Sequence, residues 1–328
     1  MHRLLKGLAL CAALAGCSGD EQTSAALGDC QPPADLGGPV AIKAGQYRLG
    51  DSRFYPEEGP VVSVEVGAFD IDAHEVTNAQ FAAFVEATGY ITRAERGLPE
   101  ADFDHLPDDF RRAGSAVFTP PKKTNPTALV DWWRFVEGAH WRAPDGPGSS
   151  ITDKEAYPVV HIAYEDARAY AAWRGRRLPT EAEWEVAARS GLRGAPYAWG
   201  DTPPDDLDIP AANTWQGFFP ISNEKTDGFV GLAPVGCYAA NAYGLHDMIG
   251  NVWEWTSDAK TQRRDDPPAQ DTADSGTIKG GSFLCAENYC QRYRPAARQF
   301  QERTFSASHI GFRTVGDLPA SAGSPAAR

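Results

Sequence analysis

Four common catalytic signatures are missing from this 328-residue chain. It has no phosphate loop, no Gly-x-Gly-x-x-Gly, no Gly-x-Ser-x-Gly and no His-Glu-x-x-His. Nothing in it therefore marks a nucleotide cradle, a dinucleotide site, a nucleophile elbow or a zinc protease. No block of Lys and Arg interrupts a formal net charge of −13, which argues against a nucleic-acid partner, because phosphate neutralisation needs a basic face. No run beyond the N-terminus is long and apolar enough to cross a bilayer. No Ser/Pro/Gly-rich linker and no internal repeat divides residues 38–316, so one domain is expected.

What is present begins with an export signal. Arg3 and Lys6 precede an apolar segment from Leu8 to Leu14, and Leu14-Ala-Gly-Cys17 reads as a small-residue cleavage site ending in cysteine. The pattern is that of a bacterial lipoprotein: residues 1–16 removed with Cys11, Cys17 acylated, residues 17–37 a flexible tether and 317–328 a tail of similar composition. An ordinary cleaved signal is the alternative. In either case the mature chain leaves the cytosol, and the lipidated form would be anchored to a membrane and face the periplasm.

Thirty-two Gly, 25 Pro and nine Trp point to a loop-rich fold whose core is supplied by aromatics. Val62-Ser-Val-Glu-Val66 alternates like a half-buried strand, and Phe69-Asp-Ile-Asp72 is read as its continuation. Thr77 and Gln80 form a capping box ahead of Phe81, Phe84 and Val85, with Gly89 as the stop. A second helix is expected from Tyr164 to Arg174, and a third from Thr180, capped by Glu183 and ending by Gly191. Residues 97–158 show no sustained period; Trp132, Trp133 and Trp141 within them are read as core before cleft. His161, between apolar residues, is expected as a hydrogen-bonded core histidine in a strand.

Chemistry concentrates between Ile278 and Arg298. Cys285 and Cys290 are five apart, too far out of phase to share a helix face or one side of a strand, so a turn must unite them. Gly280 and Gly281 permit a close backbone approach, and Arg292, Arg294 and Arg298 favour thiolate over thiol. Two sulfurs without a histidine are a poor zinc set and a good set for Cu(I), although on spacing and an exported location alone a short-loop disulfide comes first. Oxygen donors cluster twice: around Asn213, Thr214, Asp227 and Phe229, and within Asp247-Met-Ile-Gly-Asn-Val-Trp-Glu-Trp255. Such groups suit calcium, although Asn, Asp and Gly are also ordinary turn residues.

Lys279-Gly-Gly-Ser282, Cys285, Tyr289-Cys290, Arg292-Tyr-Arg294, Ala296-Ala-Arg298 and Gly311-Phe-Arg313 together resemble the C-terminal signature of the formylglycine-generating enzymes, the sulfatase-modifying factors. Glu75-Val-Thr-Asn78, Pro158-Val-Val-His161, Arg177-Leu-Pro-Thr-Glu-Ala-Glu-Trp184 and Tyr197-Ala-Trp-Gly200 extend the resemblance over residues 38–316. It implies an α+β, C-type-lectin-like domain with little regular secondary structure, acting as a monomer. It also implies an O2-dependent, copper-dependent oxidase that turns the cysteine of a Cys-x-Pro-x-Arg motif in an unfolded sulfatase into formylglycine. Cys285 and Cys290 would hold Cu(I), with Ser282 beside the substrate and Trp253, Tyr289 and His309 lining its pocket. One calcium site would be Asn213, Thr214, Asp227 and Phe229; the other would be Asp247, Met248, Gly250 and Val252.

This chain departs from the vertebrate pattern at Ala286 and His309, where His and Asn stand in the family, and at Pro295 and Thr314, which replace disulfide cysteines. Cys30 and Cys237 are the remaining thiols and are expected to pair in an oxidising compartment. Two other readings stay open: an exported binding or assembly module with Cys285 and Cys290 bonded, or an oxidase acting on something other than a sulfatase.

Overall fold

The computed structural model describes residues 30, 32, 36–100, 111–121, 132–267 and 274–319. The expected signal segment, Cys17, most of the expected tether and the last residues of the expected tail lie outside the described residues. Among the described residues, four small sheets and four α-helices carry the chain. Strand β1 (Val40–Ile42) and strand β11 (Val315–Asp317) flank β4 (Phe69–Ile71), both antiparallel to it, so the two ends of the domain meet in one sheet. Strands β2 (Gly45–Leu49) and β3 (Val62–Val66) form one hairpin-like pair, and β5 (Gly114–Phe118) and β6 (Trp133–Glu137) another. The central sheet runs β10 (Ile310–Gly311), β7 (Trp253–Ala259), β8 (Ser275–Lys279), β9 (Gln299–Glu302). The long connections between these elements account for the Gly and Pro content.

Helix α1 (Asn78–Thr88) forms where its box predicts: the Thr77 hydroxyl accepts from the Gln80 N–H, the Gln80 side chain accepts from the Thr77 N–H, and Gly89 closes it in the left-handed region. Its stripe carries Phe81, whose ring meets those of Phe84, Trp141, Tyr170 and Phe312 at 5.2–6.4 Å. Aromatic packing of this kind, edge-on in every pair but the stacked Phe81–Tyr170, adds about 0.5–1.5 kcal/mol per pair beyond area burial. A short helix α2 (Arg93–Arg96) follows. Helices α3 (Tyr164–Trp173) and α4 (Glu181–Arg189) match the other two expectations, except that Ser190, not Gly191, takes the left-handed cap.

Strand β7 is buried along most of its length because it lies in the middle of the domain, with α4 against it. Glu254 on β7 receives Arg313 through two 2.8 Å bonds and the indole N–H of Trp184 at 2.8 Å. All three are essentially without solvent. A buried charge that loses its partner costs about 3–5 kcal/mol, so each member of the pair requires the other. Lys279, at the end of β8, is likewise buried, 3.4 Å from Glu181 and 3.7 Å from Glu185 of α4. Cys30 and Cys237 are joined as a disulfide, tying the N-terminal approach to the loop at 237.

Three expectations are corrected. Phe69–Ile71 does not continue β3: Gly67 and Ala68 break the run, and the two strands pair in different sheets. His161 is a buried, hydrogen-bonded core residue as expected, its Nδ1 2.8 Å from the Ser115 hydroxyl, but it sits in a bend with φ 61°, not in a strand. The aperiodic stretch 97–158 contains the β5–β6 ladder, whose alternation is hidden because Ser115, Ala116 and Val117 are consecutively buried. Among the described residues no helix is long and apolar enough to cross a membrane.

Candidate active site

The turn required between Cys285 and Cys290 is present. The Cys285 N–H donates to Ser282 O, and the N–H groups of Tyr289 and Cys290 both donate to Ala286 O, curling the chain until the sulfurs stand 2.8 Å apart. That separation is outside the roughly 2.05 Å of a disulfide. Both are free thiols in this structure. Gly281, with φ 78°, allows the curl: a Cβ there would come within 3.3 Å of Cys285 Sγ and 3.1 Å of Arg292 O.

Burial keeps Cys285 a thiol, pushing its pKa well up, and its S–H then hydrogen-bonds Cys290. That bond, opposed by burial and helped by the Arg292 N–H and guanidinium, brings Cys290 down to about 7. A free cysteine titrates near 8.5, so Cys290 is the sulfur that ionises first. Of the three arginines expected to supply charge, only Arg292 does so. Arg294 is locked to Glu58 at 2.5 Å and Arg298 to Glu181 at 2.8 Å, where they brace the loop instead. Arg292 is itself fixed by Glu57 at 2.7 Å and by the face of Tyr55 at 4.0 Å.

The thiols line a cavity of about 1070 Å³ that also takes in Ser282, Trp253, Tyr289 and His309, so the structure brings together every expected residue of the substrate region. Ser282 and Trp253 are buried in its wall, whereas Tyr289 is half exposed at the rim, stacked 4.3 Å from Phe219 and edge-on to Trp132. His309 packs 4.6 Å from Trp133, and burial lowers its pKa to about 3, so it is a neutral imidazole at physiological pH. Trp133, Phe219 and the Ser115–Ser306 hydroxyl pair, 2.8 Å apart, complete this wall and were not singled out from sequence as site residues. Two of them carried a signal: Trp133 as a possible cleft tryptophan, and Ser306 within Ser306-Ala-Ser308, which belongs to the same C-terminal resemblance. Trp141 is core.

The two oxygen-rich clusters adjoin each other and the thiol loop. Asn213 and Asn251 are bonded at 3.0 Å, and Glu75, which sequence reading did not single out as a site residue, receives the Asn251 amide at 2.8 Å and the Val252 N–H at 3.2 Å. The Phe283 N–H donates to Asn251 O and the Trp215 N–H to Cys285 O, so these turns directly support the cysteines. In the second cluster Asp247 Oδ1 is buried without a hydrogen-bond partner, as a carboxylate reserved for a cation would be. In the first, the Gln216 amide nitrogen lies between Asp227 Oδ2 and Thr214 O while its own oxygen has no partner. Turning that amide over would present a further oxygen to a cation between them. The donor sets therefore fit calcium. Among the described residues no three His, Cys, Asp or Glu side chains converge as a metal site, so a metal here would be held by the two thiolates, or by a single carboxylate together with amide and backbone oxygens.

A loop-rich α+β domain that sets two free thiols after a Gly-Gly-Ser turn, at the wall of an aromatic cavity, defines a class built to present sulfur to a guest. The chain belongs to the sulfatase-modifying factor family, whose "Sulfatase-modifying factor enzyme 1-like domain" model matches residues 26–318. It is 50% identical over 295 residues to the formylglycine-generating enzyme of Mycobacterium tuberculosis, covering 85% of this chain and 97% of that one. It is 46% identical over 296 residues to that of Thermomonospora curvata, covering 85% and 93%. A Bos taurus relative at 39% over 281 residues, covering 84% and 86%, is named an inactive C-alpha-formylglycine-generating enzyme 2, so membership alone does not carry activity. In fold the chain is similar to PvdO from Pseudomonas aeruginosa, with a TM-score of 0.59, 24% identity and coverage of 85% and 94%.

In the metal-free protein, thiolate absorbance in the far ultraviolet is expected to rise with a midpoint near pH 7. Cys290→Ser should remove that step. Cys285→Ala should move it upward, because the donor that stabilises the thiolate is gone; an unmoved midpoint would show that Cys285 does not set it.

Proposed function

We propose that this protein is a formylglycine-generating enzyme, oxidising the cysteine of a Cys-x-Pro-x-Arg segment in an unfolded sulfatase with O2. The observation that carries the reading is the pair of unbonded sulfurs 2.8 Å apart at the wall of the cavity. Cys285 and Cys290 would hold Cu(I), which when bound supplies a soft, low-coordinate site for a substrate thiolate and for O2. The chain's own residues do the rest. Arg292 favours the thiolate form of Cys290, and the Ser282 hydroxyl in the cavity wall is available to hydrogen-bond the entering cysteine. Trp253 keeps water from the sulfurs, and Tyr289 and Phe219 form a stacking surface for the peptide at the rim. Neutral His309 offers a hydrogen bond without a charge.

Converting a thiol carbon to an aldehyde with loss of H2S removes two electrons, whereas reducing O2 to water takes four. An external thiol pair oxidised to a disulfide supplies the difference. Incubating the soluble form, from residue 18 onward, with Cu(I), a reducing thiol, air and a Cys-x-Pro-x-Arg peptide should yield an aldehyde by mass spectrometry. Cys285→Ser and Cys290→Ser should each abolish it. Copper retained with the peptide unchanged would indicate another substrate, and a Cys285–Cys290 disulfide that binds no copper would indicate a binding module.

Calcium at the two oxygen clusters would brace the turns that carry the cysteines. Chelation should lower the melting temperature, and calcium should restore it; Asp247→Ala should weaken that response, and a melting temperature indifferent to chelator would remove calcium from the account. The anchor belongs to the same reading: the full chain should partition with membranes and take up labelled palmitate, and Cys17→Ala should do neither.

A further inference from the structure

The cavity that holds the thiols has a strongly unequal charge. Among its described lining residues are Arg93, Arg112, Arg134 and Arg292, against a single carboxylate, Glu302. Two of the arginines are already neutralised, Arg292 by Glu57 at 2.7 Å and Arg112 by Glu137 at 3.0 Å. Arg134 is exposed on β6.

Arg93 is different. At 7% exposure it is among the buried charged residues, and its Nε is buried with no partner. Its backbone N–H is bonded to Asp166 Oδ1, but among the described residues its guanidinium makes no hydrogen bond or ion pair. The acids around it are engaged elsewhere. Glu165 pairs with Arg96 at 2.5 Å, and Asp166 accepts the Ala163 N–H and the Tyr90 hydroxyl besides the Arg93 N–H. Asp166 also carries a pKa raised to about 7 by burial, so it is an incomplete counter-charge near neutrality. A buried arginine normally has a paired carboxylate, since an isolated ion in a low-dielectric site is costly. A guest that brings one would recover that cost and gain a forked, charge-assisted pair of hydrogen bonds.

We propose that Arg93 is a carboxylate-accepting subsite of the active cavity, reading an acidic side chain or the chain terminus of the client segment in addition to its cysteine. The inference rests on the client being a peptide that enters this cavity. It makes Arg93 a specificity residue, distinct from the sulfur chemistry.

The test measures binding without turnover. Labelled peptides with Ser in place of the reacting Cys carry one Glu walked through the positions on both sides, each with a Gln twin, as C-terminal amides and as free acids. With the metal-free protein at low salt, one Glu position should bind about tenfold tighter than its Gln twin. That ratio should fall to about one in Arg93→Gln, and Arg93→Glu should prefer Lys at the same position. A gain confined to free-acid peptides would identify the terminal carboxylate as the group read. No preference at any position, or one that survives Arg93→Gln, would overturn the proposal. Arg93→Gln should melt no lower than the wild type; a large drop would make Arg93 a structural residue and also overturn it. If the preference holds while no Cys peptide is converted, the oxidase reading fails and the subsite stands.

Discussion

The buried pair of Glu254 and Arg313 is the constraint on which the rest of the domain depends. Besides the two bonds to Glu254, the Arg313 guanidinium donates to Asp72 O, His246 O and Asp247 O at 3.0–3.3 Å. One side chain thus ties β7 to the chain leaving β4 and to the turn that carries one oxygen cluster. Trp184 adds α4 to the same carboxylate. In a fold with few long ladders, a forked cation satisfied by backbone carbonyls does work that sheet hydrogen bonds do elsewhere.

From that centre the cysteine loop is held by charge on one side and by backbone on the other. Lys279 is pinned under α4, so the Gly-Gly-Ser turn leaves β8 from a fixed point. Arg294 and Glu58 clamp the far end, and the Asn251 and Asn213 turns hydrogen-bond the middle. The sulfurs are therefore presented by a loop whose every approach is tied down. This preorganisation holds the Cys285 thiol and the more acidic Cys290 close together without a bond between them. The same rigidity explains why Arg292 alone among the three nearby arginines tunes Cys290: the other two are committed to the clamp.

The arrangement also separates two tasks within one cavity. In the proposed reading, sulfur chemistry would be confined to the buried wall around Cys285, Cys290 and Ser282, while the aromatic group of Tyr289, Phe219 and Trp132 would offer a peptide a stacking surface. Arg93 lines the same cavity from the short helix α2, an unrelated part of the chain. If Arg93 reads the client as proposed, recognition could change there without disturbing the thiols.

Much of this was legible before any coordinates. The capping boxes at Thr77 and Thr180 fix helix starts by local hydrogen bonds, so α1 and α4 begin where the residues say. The i to i+5 spacing of the cysteines excludes helix and strand and demands a turn, and the family signature in residues 278–313 marks the site. Local rules could not reveal that β3 and β4 join different sheets, that β5 and β6 pair, or that His161 lies in a left-handed bend, because partner choice is a matter of long-range packing. Composition set the class of fold and the types of donor available. Only the tertiary structure decided which arginine meets which acid, leaving Arg292 for the thiolate, Arg294 and Arg298 for the frame and, among the described residues, Arg93 with no paired acid, because pairing depends on distances that sequence order does not encode.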